Sequence, residues 1–306
     1  MPKWLKVYLS GVLMGAADVV PGVSGGTIAF ILGVYDRLIN ALSGVNTASI
    51  GMLFKGDFKA LWRHFDGTFL LALGAGIVTS IFLLAGVITH LLAVYPSYLW
   101  GFFFGLILAS AYFLLHQIVC FSWRHFIGLI VGIAIGASLS LLVPTQLNTS
   151  LVAVFFSGMI AICAMILPGI SGSFLLLMMG MYGFILSAVK TLDFVVILIF
   201  AAGALIGLLS FSKVLNYLLH HARSMTLSIL TGVMLGALVK VWPWKVTQTW
   251  SLVGDKKIPL EEAPVLPWAL PDFYWMEDFL LPVVFIVMGF LSVILVSYIF
   301  LRKSDK

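Results

Sequence analysis

The chain alternates long apolar runs with short polar stretches. Ten such runs lie at roughly 7–20, 24–42, 68–92, 98–119, 126–143, 151–167, 171–189, 194–219, 226–241 and 279–301. None shows the two-residue alternation of a half-buried strand, and most approach the ~20 residues that a membrane-crossing helix needs. Five runs fall in each half. Two polar stretches have a pattern of their own. Between 54 and 66, Phe54, Phe58, Leu61, Trp62 and Phe65 recur at helical spacing, while Lys55, Lys59 and Arg63 occupy another face. This predicts an amphipathic helix, lying either among anionic headgroups at the cytoplasmic interface or against protein. Between 242 and 278 the chain is rich in Pro and Trp and carries Asp255, Glu261, Glu262, Asp272, Glu277 and Asp278. It reads as an external cap whose tryptophans form an interfacial belt.

Composition strengthens the membrane reading. Of 306 residues 62% are hydrophobic and 9% charged, and the mean hydropathy of +1.14 excludes a soluble fold of this size. The fold class expected is an all-α polytopic membrane protein. Lys3 and Lys6 before an apolar run read as the start of a retained first membrane segment. The formal charge of +5 lies at segment ends, which fits lipid orientation better than nucleic acid. Cys120 and Cys163 have neither metal spacing nor a disulfide framework. His90, His116, His220 and His221 sit near segment ends as interfacial residues, and Lys213 snorkels to the cytoplasmic face. No Walker loop or zinc-ligand spacing occurs, so ATP does not drive the protein directly, and neither cofactor nor metal is expected.

With the N-terminus in the cytoplasm, Lys3, Lys6, Arg37, Lys55, Lys59, Arg63, Arg124, Arg223, Arg302, Lys303 and Lys306 fall inside. Lys190, Lys240, Lys245, Lys256 and Lys257 fall outside. This bias places both termini in the cytoplasm. Each half then crosses the membrane an odd number of times, so the halves are expected to be inverted repeats, 1–147 and 148–306. The first holds a re-entrant pair at 7–42, a cytoplasmic interfacial loop at 43–67 and three spans. The second holds a re-entrant pair at 151–189, three spans and an external loop at 243–278. Charge alone also permits full crossings for the pairs. A carboxylate at Asp18, better tolerated beside a hydrated cavity than in lipid, favours the re-entrant form. Gly74 and Ala75 faintly echo Gly203 and Ala204. Gly101 and Gly105 echo Gly232 and Gly236 at the small-xxx-small spacing of close helix contact.

The repeat is clearest in two stretches, Pro21-Gly22-Val23-Ser24-Gly25-Gly26-Thr27 and Pro168-Gly169-Ile170-Ser171-Gly172-Ser173. An offset of 147 maps Pro168, Gly169, Ser171 and Gly172 onto Pro21, Gly22, Ser24 and Gly25, and continues through Gly180 on Gly33 and Tyr182 on Tyr35. Pro and Gly break the helix; the new helix then begins with backbone N–H groups that lack intrahelical partners. Ser24, Thr27, Ser171 and Ser173 add hydroxyls, and Gly25, Gly26 and Gly172 admit a ligand close to the backbone. Two such ends facing each other would hold a phosphate or carboxylate. The plainer alternative is that each break shapes a hairpin, its serines bonding back to carbonyls. Asp18 precedes the first break, and its counterpart is Met165. It is a candidate for carrying or lining a proton or sodium path, or, more plainly, an N-cap.

The run from Met14 to Thr27, continuing through Gly33, Tyr35 and Arg37, closely resembles the signature of the bacterial polyprenyl-phosphate transporter family, once known only as a membrane domain of unknown function. The resemblance spans almost the whole chain. It implies a multi-pass protein of the bacterial cytoplasmic membrane that returns undecaprenyl phosphate from the outer to the inner leaflet, with coupling to a proton or sodium ion as a hypothesis. Its oligomeric state is open. Two alternatives stand beside it. Undecaprenyl-pyrophosphate phosphatases share a Pro-Gly-x-Ser motif, but theirs carries Arg after the Ser and has membrane glutamates nearby. Here Gly25 and Gly172 follow the serines, and no Glu precedes Glu261. A transporter or channel for a small anion would use the same helix-end physics.

Overall fold

The computed structural model describes residues 3–19, 24–118, 120–141, 149–253 and 256–301. Pro21, Gly22, Asp255, Arg302, Lys303 and Lys306 lie outside them. The elements of the first half are α1 (Lys3–Asp18), α2 (Gly25–Ile31), α3 (Tyr35–Leu42), α4 (Thr47–Phe54), α5 (Phe58–His64), α6 (Gly67–Val94), α7 (Pro96–His116) and α8 (Trp123–Ser140). Those of the second are α9 (Leu151–Ile166), α10 (Gly172–Met178), α11 (Tyr182–Thr191), α12 (Phe194–His221), α13 (Arg223–Ala237), the strands β1 (Lys245–Val253) and β2 (Lys256–Pro264), and α14 (Leu281–Leu301).

Among the described residues five helices are long and apolar enough to cross a membrane: α6, α7, α8, α12 and the stretch Trp275–Tyr298 that includes α14. This fits the polytopic membrane class. The expectation of six full spans needs α13 as well, which at 15 residues falls short of that test. The pair α10 and α11 is apolar enough but bends by 106°. The bend falls at Met179-Gly180-Met181, where Gly180 has φ +68°. Gly33 at φ +69° makes the same break between α2 and α3, so the two glycines matched by the 147-residue offset do the same backbone work.

Element lengths repeat as well. α1 and α9 have 16 residues each, α2 and α10 have 7, and α6 and α12 have 28. α1 packs on α6 as α9 packs on α12, while α7 packs on α14 and α8 on α13. Small residues let these backbones touch. A Cβ at Gly105 would overlap Ile286 O, and one at Gly236 would overlap Ile133 O, so the small-xxx-small sites are packing sites. The echo at Gly74 is displaced: Gly74 faces open space, and Gly76 makes the backbone contact, against Tyr8 O. Gly76 and Gly203 each stand nine residues beyond their helix starts at 67 and 194, so counting from the helix start corrects the register.

The amphipathic stretch is helical only over Phe58–His64, as α5, while its first residue, Phe54, closes α4. Gly56, at φ +69°, ends α4, and Asp57 starts α5 by accepting from Ala60 N at 2.9 Å. Phe54, Phe58 and Trp62 are 86%, 69% and 49% exposed. The stretch 242–278 contains an antiparallel hairpin, with register shifts between Thr247 and Trp250, that the apolar pattern did not predict. Its tryptophans divide. Trp242 Nε1 donates to Val265 O at 2.9 Å and Trp244 Nε1 to Asp278 O, so both pin the cap. Trp268 and Trp275 stay exposed. Lys245 is buried beneath this cap, 2.9 Å from Glu262 Oε2 and 3.9 Å from the Trp100 ring centroid. Burial pushes its ammonium down to about 8, against the opposing pull of Glu262.

Candidate functional site

Ser24 and Thr27, at the start of α2, are buried and bond to the end of α9 and the break that follows it. Ser24 Oγ donates toward Leu167 O at 3.1 Å and Met165 O at 3.3 Å. Thr27 Oγ1 accepts from Gly169 N at 3.0 Å. Tyr35, buried and stacked on Phe30, donates to Ile166 O at 3.1 Å. The carbonyls used are the last ones of α9, which the break leaves without helical partners. The chain therefore brings Ser24, Thr27, Pro168 and Gly169 together across more than 140 residues. Gly169 is fixed as glycine twice over, by φ +85° and by Met234 Cα, which would stand 2.8 Å from a Cβ.

The two helix ends are chemically unequal. At α2, Asp18 Oδ1 accepts from Gly25 N at 2.6 Å, Ser24 Oγ accepts from Gly26 N at 3.1 Å, and Ser24 O accepts from Thr27 N at 3.0 Å. The first three N–H groups are thus satisfied from within, and Asp18 has the N-cap geometry that was its plainer alternative. At α10, Ser171 makes no side-chain cap. Its hydroxyl meets Ser173 Oγ at 2.9 Å, and no acceptor for Gly172 N or Ser173 N lies among the described residues. Met165 stands where Asp18 stands in the first copy, its Cβ 3.5 Å from where a Cβ of Gly172 would be. A thioether side chain cannot cap at that point. Ser24 and Thr27 are 1% and 0% exposed, whereas Ser173 is exposed, so only the second copy presents a hydroxyl outward.

Three residues gained a place here that the sequence patterns had not given them. Tyr35 was visible only as an echo of Tyr182 and as part of the run that carries the family resemblance. Lys240 was counted only as an external charge, and its Nζ lies 4.7 Å from the ring centroid of Phe174 on α10. Arg223 was counted only as an internal charge, and its Nη2 lies 2.9 Å from Asp36 Oδ2. No spacing rule would have paired residues so far apart.

Residues 14–257 match the family described as VCA0040-like, undecaprenyl phosphate translocase-like. A relative named polyprenyl-phosphate transporter, from Vibrio cholerae serotype O1, is 47% identical over 267 residues, covering 87% of either chain. Another of the same name, from Staphylococcus aureus, is 34% identical over 259 residues, covering 79% of this chain and 87% of its own. No solved structure matches the chain.

Proposed function

The chain belongs to the undecaprenyl phosphate translocase-like family, and from that premise we propose that it carries undecaprenyl phosphate from the outer to the inner leaflet of the bacterial cytoplasmic membrane. The lipid carrier would thereby be recycled. A doubly charged headgroup crosses hydrocarbon very slowly unaided, since an unpaired ion there costs many kcal/mol. A carrier needs to shelter only that head while the tail stays in lipid.

The observation that carries this reading is the junction of the two breaks, where one helix end is filled by its own side chains and the other is not. In our reading Ser171, Gly172 and Ser173 receive the phosphate from the backbone side. Ser24, Gly25, Gly26 and Thr27 form the partner end, which Asp18 occupies until the carrier opens. Asp18 then leaves Gly25 as the head arrives, and taking up a proton or sodium ion at that moment would couple transport to a gradient. The matched helix lengths, the matched glycine breaks and the pairing of α7 with α14 and α8 with α13 support two inverted repeats, 1–147 and 148–306. In that arrangement both termini lie in the cytoplasm and α1 and α9 do not cross fully.

The test is reconstitution of the purified chain with labelled undecaprenyl phosphate, measuring leaflet exchange with and without imposed proton and sodium gradients. Exchange that depends on the protein is expected. Release of inorganic phosphate from undecaprenyl pyrophosphate would instead make it a phosphatase. Exchange of a soluble phosphate or carboxylate in place of the lipid would make it a small-anion carrier.

A further inference from the structure

Beside the paired breaks, at the end of the molecule assigned above to the cytoplasm, two hollows touch one ion pair and a third adjoins one of them at Ile31. The first, of about 210 Å³, lies between α1, α2, α7 and α14, with an almost wholly apolar wall that includes Leu13, Phe102, Leu106 and Val293. The second, of about 360 Å³, shares Ile31 with the first and continues along α7 and α14 to Gln117, Ser297, Asp36 and Arg223. The third, of about 270 Å³, also touches Asp36 and Arg223, and adds Asn216 and His220. Together they grade from apolar at depth to polar and cationic at the end.

The ion pair between them is weakly made. Arg223 meets Asp36 through one nitrogen and one oxygen at 2.9 Å, with side chains 48% and 44% exposed. A pair this exposed is held only loosely. The other carboxylate oxygen, Oδ1, is buried and finds no donor among the described residues. Four of the five guanidinium N–H donors are likewise not taken up by Asp36. A phosphate monoester offers the bidentate, doubly charged match that this carboxylate does not.

Resting on the transport reading above, we infer that these hollows are a second docking site for a single-chain lipid phosphate. Its head sits at Arg223 in place of Asp36, and its first apolar units run along α7 and α14 into the inner hollow. The site is distinct from the paired breaks and serves the inner-leaflet end of the path. The adjoining apolar hollow is what selects a lipid over free phosphate, and the charge of Arg223 is what selects a phosphate over an alcohol.

The experiment uses the full chain in phosphatidylcholine nanodiscs with farnesyl phosphate carrying a diazirine near the head, and label positions read by mass spectrometry. Labels are expected on α7 and α14 near Phe113 and Val293. Arg223→Gln should lower that labelling about tenfold, Arg223→Lys less, and Asp36→Asn should raise it several-fold by freeing the guanidinium. The opposite signs separate a ligand from a mere structural pair, because loss of folding would lower both. Labelling confined to the segments around Ser24 and Ser171, or a fall in both variants, overturns this site and leaves the transport reading standing. Displacement by inorganic phosphate as readily as by unlabelled farnesyl phosphate overturns the lipid assignment. No labelling by the lipid phosphate anywhere overturns the site and the transport reading together.

Discussion

Replacing Gly25 by Ala perturbs one bond at the centre of the molecule. The new Cβ would stand 2.5 Å from Asp18 Oδ2 and 2.9 Å from Asp18 Cγ, closer than real carbons approach, so the carboxylate must swing away and release Gly25 N. A hydrogen bond to a charged group contributes ~1.5–3 kcal/mol, and its loss shifts the balance between filled and open helix ends by about 10- to 150-fold. Asp18→Asn is the complement: it keeps an oxygen acceptor of the same shape and drops the charge. In proteoliposomes, Gly25→Ala should slow leaflet exchange of labelled undecaprenyl phosphate at least about tenfold and lower thermal stability. Asp18→Asn should keep the stability of the wild type while its exchange no longer responds to proton or sodium gradients. Wild-type exchange and melting in Gly25→Ala would refute a functional role for the Asp18 bond. A gradient response that survives in Asp18→Asn would sink the coupling role and leave Asp18 as a cap.

Ser24→Ala with Thr27→Val cuts the bonds that join the first break to Leu167, Met165 and Gly169, and leaves buried backbone groups without partners at ~1–3 kcal/mol each; the midpoint of thermal unfolding in detergent should fall by several degrees. Ser173→Ala touches an exposed hydroxyl and should leave that midpoint alone while weakening headgroup binding several-fold in a lipid-phosphate binding assay; unchanged binding would remove Ser173 from the site. Lys245 has its ordinary value of 10.5 lowered to about 8, so the folded chain holds fewer protons than the unfolded one between those values. Its burial therefore costs roughly 3 kcal/mol below pH 8, and the cost is relieved as pH rises through 8 toward 10.5. Thermal melts should show stability rising across that window in the wild type, and the rise should vanish in Lys245→Met with Glu262→Gln, where neither buried charge is left unpaired.

The apolar pattern marked nearly every helix because lipid and core impose the same rule on each residue that faces them. Charge placement followed from loop positions, and the 147-residue offset singled out Ser24, Gly25, Ser171 and Gly172 before any packing was known. What escaped has physical reasons. The hairpin at β1 and β2 lies in a stretch rich in Pro and acid, where β-branched residues such as Val246 and Thr247 gave only a weak local signal. The break at Gly56 sits inside a pattern whose apolar spacing continues across it, from Phe54 to Phe58. Arg223 with Asp36, Lys240 with Phe174 and Tyr35 with Ile166 are contacts of tertiary origin, and no periodicity encodes a partner more than sixty residues away.

The clearest difference between the two copies lies just before their breaks. At the position before the first break stands Asp18; at the matching position before the second stands Met165. A carboxylate can reach across the break and bind the first N–H of α2, and a thioether cannot do the same for α10. Two equal open ends would compete for one phosphate and hold it too firmly to release. Two capped ends would refuse it. Under the transport mechanism proposed above, one end filled by an internal anion and one end open would let a ligand anion displace a protein anion, so that binding and opening would become a single event. Swapping the asymmetry tests this directly. Met165→Asp should cap α10 as Asp18 caps α2, raise thermal stability and abolish exchange, and adding Asp18→Leu to it should restore part of the exchange. A Met165→Asp protein that transports at the wild-type rate would show that the open end of α10 is not where the headgroup is held.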